Sequence, residues 1–143
     1  MSTLAYLDTN ALVKLYAPED GGDSVIKLLD DTDGVVTSVI TYTEARAVFA
    51  RLLDRDQATQ AQYDAIIQNF EEDWAMAVKV ELVETVYRRA GELTVPHPRL
   101  RALDAIHLAS ALQARKQFDI RFLTFDADLK AAATATLGKS AVV

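Results

Sequence analysis

Five short apolar or β-branched runs alternate with helical patterns along this chain. That alternation limits the possible folds more than any other feature of the sequence. The runs span residues 4–7, 35–40, 77–80, 120–124 and, at the end, 141–143. Between them, residues 11–16 take helical spacing, and Val25, Ile26, Leu28 and Leu29 mark a short helix with Asp23 or Ser24 as its cap. Ala45, Val48, Phe49 and Leu52 fall at i, i+3, i+4 and i+7, as one helical face requires. Tyr63, Ile66, Ile67, Phe70 and Trp74 mark a longer helix that pairs with it as a hairpin. Val83, Val86, Tyr87, Ala90 and Leu93 mark the next helix, and an alanine-rich helix over 103–116 turns Ala105, Leu108, Ala109 and Leu112 inward. The last helix, over 126–137, stops at Gly138. Strands separated by helices predict an α/β fold, a parallel sheet covered on both faces.

The breaks agree with this layout. Residues 18–22, Pro-Glu-Asp-Gly-Gly, interrupt the pattern, and Val95-Pro96-His97-Pro98 ends the helix before it because proline disfavours helix in the preceding residue. Thr41-Tyr42-Thr43-Glu44 has the form of a capping box. At 143 residues, half of them hydrophobic, the chain can bury one sizeable core, so residues 1–143 are expected to form a single domain. The absence of cysteine excludes disulfides, thiolate zinc sites and cysteine nucleophiles. No basic segment precedes a long apolar run at the start, and no run nears the roughly 20 residues that cross a bilayer. The expectation is a cytoplasmic protein with no membrane partner. A net charge of −6 argues against general nucleic-acid binding, so contact with phosphates must be local.

Four acids sit at strand tips or helix starts. Asp8 follows the first strand, Glu44 opens the helix after the second, Asp104 opens the alanine-rich helix, and Asp126 follows the strand ending at Thr124. Asp128 stands two residues further on. Taken singly, each is explained by capping, because a carboxylate at a helix start satisfies orphan N–H groups. Their flanks, Leu7, Leu103 and Phe125, are apolar and predict that several acids lie at the rim of the core. Like charges gathered there repel, and a divalent cation removes that penalty. Oxygen ligands without cysteine favour Mg²⁺ or Mn²⁺ over zinc.

Three segments carry a family resemblance: residues 7–16, Leu-Asp-Thr-Asn-Ala-Leu-Val-Lys-Leu-Tyr; residues 103–112, Leu-Asp-Ala-Ile-His-Leu-Ala-Ser-Ala-Leu; and residues 123–129, Leu-Thr-Phe-Asp-Ala-Asp-Leu. With Thr43-Glu44-Ala45-Arg46 they resemble the signature segments of PIN-domain proteins, and more narrowly the VapC toxins of type II toxin–antitoxin systems. The resemblance implies a three-layer α/β/α fold and an Mg²⁺- or Mn²⁺-dependent endoribonuclease leaving 5′-phosphate and 3′-hydroxyl ends. Position by position, Asp8, Glu44, Asp104 and Asp126 match the family's acidic quartet, and Asp128 is a secondary candidate ligand. Thr9 or Asn10 matches the small polar position after the first acid, and Thr124 the one before the last. The resemblance also implies a VapB-like antitoxin and a homodimer, with a groove for the antitoxin at the hairpin of residues 41–77.

Other residues carry weaker readings. Arg46, Arg99 and Arg101 are candidate phosphate contacts, set against ordinary salt bridging. His107 is three residues after Asp104, where packing competes with orienting that carboxylate or touching substrate. Tyr63, Phe70 and Trp74 have the spacing of core residues rather than base-stacking ones. Tyr16 and Tyr42 are candidates for walls of the site or a dimer surface. Two other functions compete: a metal-binding scaffold that does not cut, and a phosphotransfer domain with Asp8 or Asp126 as acceptor.

Overall fold

The computed structural model describes residues 1–17 and 20–143. Pro18 and Glu19, part of the break expected at 18–22, lie outside the described residues. The elements are β1 (Thr3–Leu7), α1 (Thr9–Val13), α2 (Gly22–Asp30), β2 (Gly34–Ser38), α3 (Thr41–Asp54) and α4 (Gln60–Met76). Then come β3 (Val78–Val80), α5 (Glu84–Leu93), α6 (Ala102–Ala114), β4 (Asp119–Leu123) and α7 (Ala127–Leu137). The four strands form one parallel sheet in the order β3-β2-β1-β4.

β1 runs between β2 and β4 and pairs with β4 along its whole length, Thr3 opposite Asp119 and Leu7 opposite Leu123. A strand covered on both faces needs a continuous apolar run, and Leu4-Ala5-Tyr6-Leu7 supplies one. Alternate side chains divide between two cores. Leu4 and Tyr6 join Phe122 and the inward residues of α5, α6 and α7. Ala5 and Leu7 join Leu123 and residues of α1 to α4. This is the three-layer α/β/α arrangement. Tyr6 stacks on Phe122 with ring centroids 5.1 Å apart. Ala105, Ala109 and Ala111 are buried, and their small side chains let α6 lie close against the sheet. On the other face Phe70 meets Tyr16, Phe49, Tyr42 and Trp74, each centroid 5.5–5.7 Å from its own. That packing gives Phe70 and Trp74 the packing role their spacing suggests, and draws Tyr16 and Tyr42 into the same core.

Several local expectations change. Residues 141–143 form no strand: a 3-10 turn at Lys139–Ala141 leaves only one bridge, Phe122 to Val142. β2 stops at Ser38, because Ile40 already turns into helical geometry ahead of α3. The cap of α2 is Gly21 rather than Asp23 or Ser24. Gly21 has φ +99°, which a side chain would strain, and a Cβ there would fall 2.8 Å from the Phe125 ring, so that ring would have to shift. The capping box forms at Thr59 and Gln62, ahead of α4, and not at Thr41 and Glu44. No helix among the described residues is long and apolar enough to cross a membrane.

Candidate active site

Strand order reverses at β1. The chain moves from β1 outward to β2 and β3, then returns to place β4 on the other side of β1. In open parallel sheets the crevice beyond such a reversal is where ligands bind. The residues just after β1 and β4 are Asp8 and Thr124-Phe125-Asp126.

Asp8 is buried and caps α1, its Oδ1 accepting from the Ala11 N–H at 2.9 Å. Its Oδ2 accepts from the Thr124 hydroxyl at 2.6 Å. Thr124 Oγ1 in turn accepts from the Asp126 N–H at 3.1 Å, and Asp126 caps α7 through the Leu129 N–H at 2.8 Å. One threonine therefore ties the tip of β1 to the tip of β4. Asp104 stands half-buried in the first turn of α6. Glu44, in the first turn of α3, accepts from the Thr9 hydroxyl at 2.6 Å through Oε1, and His107 Nε2 lies 3.4 Å from the same oxygen.

The electrostatics divide the four acids. Burial raises the pKa of Asp8 above the usual carboxylate range, hydrogen bonds from Thr124 and Ala11 oppose the shift, and the Asp126 charge adds to it. Burial likewise raises Asp104, and the Asp126 and Asp8 charges push it further. Asp8, Asp104 and Asp126 thus form a mutually repelling trio. Burial also acts to raise Glu44, but hydrogen bonds from His107 and Thr9 outweigh it and hold that carboxyl below the usual range.

Among the described residues, no three His, Asp or Glu side chains are placed to enclose a single ion. The donor chemistry nevertheless fits a hard divalent cation. The candidate donor atoms are all carboxylate oxygens, and Asp8, Asp104 and Asp126 repel one another in a way a cation would relieve.

The remaining candidates fall in different places. Thr9 turns inward to Glu44, while Asn10 is exposed. Asp128 is half exposed, its Oδ1 3.9 Å from Arg99 Nε. Arg46 donates to the Tyr42 hydroxyl at 3.0 Å and to Glu71 Oε1 at 3.1 Å, which holds it against α4. Arg101 is the exposed residue before α6. Tyr16 and Tyr42 belong to the aromatic core and bond Asp73 and Glu71. Leu103 and Phe125 are each 44% exposed, so of the three apolar flanks only Leu7 is buried. The helix turn and the loop before α7 carry Leu103 and Phe125 outward while their neighbouring acids face the crevice.

His107 bonds Glu44 rather than Asp104. Its Nδ1 lies 2.9 Å from the hydroxyl of Tyr6, which is fully buried. Tyr6 is absent from the sequence candidates. The available signal is its place: a hydroxyl-bearing ring in an aliphatic strand, two residues before Asp8 and therefore on the same strand face.

Comparison with known proteins agrees with this geometry. The PIN domain family model matches residues 5–135. Ribonuclease VapC49 of Mycobacterium tuberculosis (strain H37Rv) is 38% identical over 109 residues, covering 76% of this chain and 75% of that protein. Ribonuclease VapC35 of the same strain is 32% identical over 135 residues, covering 92% and 91%. Among solved structures, a toxin–antitoxin complex from Klebsiella pneumoniae superposes with a TM-score of 0.63 at 21% identity, covering 97% of this chain and 95% of that one. M. tuberculosis VapC20, titled a sarcin–ricin loop cleaving toxin, gives 0.62 at 19% identity, covering 90% and 94%. With the family model matched over most of its length and VapC relatives above 30% identity, the chain belongs to the PIN-domain family.

Proposed function

We propose that this protein is an endoribonuclease that hydrolyses RNA phosphodiester bonds with a divalent cation, and that it is the toxin of a toxin–antitoxin pair. The observation that carries the reading is the pair of acids Asp8 and Asp126 at the tips of β1 and β4, tied through Thr124 beyond the sheet reversal of a PIN-family chain. Its relatives are named as VapC ribonucleases.

In this reading residues 1–143 act as one nuclease domain. Asp8, Glu44, Asp104 and Asp126 hold Mg²⁺ or Mn²⁺, with Asp128 secondary. The bound cation supplies Lewis acidity at the scissile phosphate and activates water. The protein's part is orientation. Thr124 commits one Asp8 oxygen and the Ala11 N–H the other, so that carboxylate cannot swing. Thr9 does the same for one Glu44 oxygen. Arg101, just ahead of Asp104, is exposed and suited to a flanking phosphate, as is Arg99. Arg46, held through Nη1 by Glu71 and Tyr42, has only its remaining N–H groups to offer a phosphate.

The reading places the protein in the cytoplasm as a homodimer with a VapB-like antitoxin. A 320 Å³ cavity lined by Leu12, Leu15, Leu29, Val35 and Trp74 supports antitoxin binding. It lies between α4 and the α1–α2 side, with Asp73, Trp74 and Met76 of the expected hairpin on its wall. A cleft that is mainly apolar, with Asp33 and Asp73 at its edge, suits one face of an amphipathic segment.

The test is cleavage of end-labelled RNA with Mg²⁺. Asp8→Asn and Asp104→Asn are each expected to lose activity by at least ~100-fold while staying folded, since loss of even an outer-shell partner costs about 10–100-fold. Full activity in folded Asp104→Asn would overturn the proposal.

A further inference from the structure

We propose that Tyr6 and His107 are positioning residues that hold Glu44 ready for a divalent cation, by locking the imidazole as the Nε2–H tautomer. The inference rests on the nuclease reading and goes beyond it, because neither residue is among the proposed ligands.

The argument is a count of protons. Glu44 Oε1 can only accept. The Thr9 hydroxyl is 2.6 Å from Oε1 and donates to it. Nε2 of His107 lies 3.4 Å from Oε1 and 3.3 Å from Thr9 Oγ1, whose proton is already committed. Both neighbours of Nε2 are acceptors, so Nε2 carries the hydrogen. In the neutral ring Nδ1 is then a lone pair, and the Tyr6 hydroxyl, 2.9 Å away, donates to it. Tyr6 has no solvent exposure and His107 is 3% exposed, so water does not supply a substitute donor. The phenol plane is itself fixed by the stack on Phe122.

The other tautomer fails at Nε2. With the hydrogen on Nδ1, the Nε2 lone pair would face the Glu44 carboxylate and the Thr9 oxygen, with no proton between them. Tyr6 could then accept from Nδ1 and turn its own proton to the buried Ser110 hydroxyl beside it, so it is the Glu44 end that decides. Plain packing of a histidine needs neither a matched donor at Nδ1 nor a carboxylate at Nε2. The pair therefore commits Oε1 and leaves Oε2 of Glu44 as the oxygen available to a ligand. β1 contributes both Tyr6 and, two residues on, Asp8, so one strand sets the positions of two acids.

Two measurements test this. The first is long-range ¹H–¹⁵N NMR of the imidazoles in metal-free wild-type protein. Hydrogen on Nε2 of His107 is the expected result, and hydrogen on Nδ1 overturns the proposal without any variant. The second is Mn²⁺ titration followed by the electron paramagnetic resonance of the free ion. Tyr6→Phe and His107→Leu are expected to bind Mn²⁺ about 10-fold more weakly. His107→Gln, whose side-chain N–H can face Glu44, is expected to recover most of that loss. At saturating metal, RNA cleavage by Tyr6→Phe should approach the wild-type kcat. If Tyr6→Phe does not fold, the wild-type tautomer and the Gln–Leu difference decide. Wild-type protein that binds Mn²⁺ and cuts RNA, beside folded Tyr6→Phe of unchanged affinity, overturns this proposal alone. Wild-type protein that does neither overturns the nuclease reading and this proposal with it.

Discussion

Asp8 has both carboxylate oxygens occupied before any substrate arrives, and it is nearly sealed from water. Burial and then the neighbouring Asp126 raise its pKa above the usual 3.8. The folded state therefore holds a proton more tightly than the unfolded one, and stability falls as pH rises from the unfolded value through the folded value. Asn at this position keeps an oxygen for Ala11, carries no charge and turns an N–H toward Thr124 in place of the accepting oxygen. Metal-free Asp8→Asn should accordingly gain in melting temperature relative to wild type as pH rises through the folded pKa of Asp8. The difference should shrink in acid, below the folded pKa of Asp8; scanning fluorimetry in EDTA across pH checks both. Glu44 has the opposite sign. Its lowered pKa contributes stability above the usual 4.5, lost as pH falls through the folded value. The places of Asp8, Asp126 and Thr124 were legible because strand tip and acid are adjacent in sequence. The hydrogen-bond partner of Glu44 was not. Its local pattern is a capping box, but Thr41 bonds Thr37 and Glu44 reaches back to Thr9, contacts 4 and 35 residues away. Only the fold decides between such partners.

The α3–α4 hairpin is the element most dependent on one side chain. Phe70 is 1% exposed and touches four other aromatic rings. Phe70→Ala is expected to cost about 3–5 kcal/mol in urea denaturation, the usual penalty for emptying such a site. Thr59→Ala breaks the capping box of α4 and is expected to cost about 1 kcal/mol in the same experiment. The helices were readable because their apolar residues recur at 3.6 and their breaks carry proline, glycine or clustered charge. Their ends were less so. Asp23 and Ser24 have capping chemistry, yet the chain enters α2 through a left-handed turn that favours Gly21. The run at 141–143 has strand composition, but the 3-10 turn after Gly138 leaves it a single bridge on β4.

At the scale of the molecule, a cation that binds only the folded state must stabilise it. Saturating wild-type protein at about 100 times the dissociation constant should add ~2.7 kcal/mol, seen as a rise in melting temperature with Mg²⁺ or Mn²⁺ that EDTA reverses. Asp104→Asn should lose most of that rise. The layered fold was legible from the alternation of strands and helices, whereas the order of strands was not, since no local pattern states where β4 returns. That return also sets a schedule. The bond from Thr124 to Asp8 spans 116 residues, and β4 is the last strand to be made. A growing chain that has emerged only through α6 carries Asp8, Glu44 and Asp104 but has nothing to pair along that side of β1. A site that needs Thr124 against Asp8 therefore cannot assemble on the ribosome until β4 has emerged.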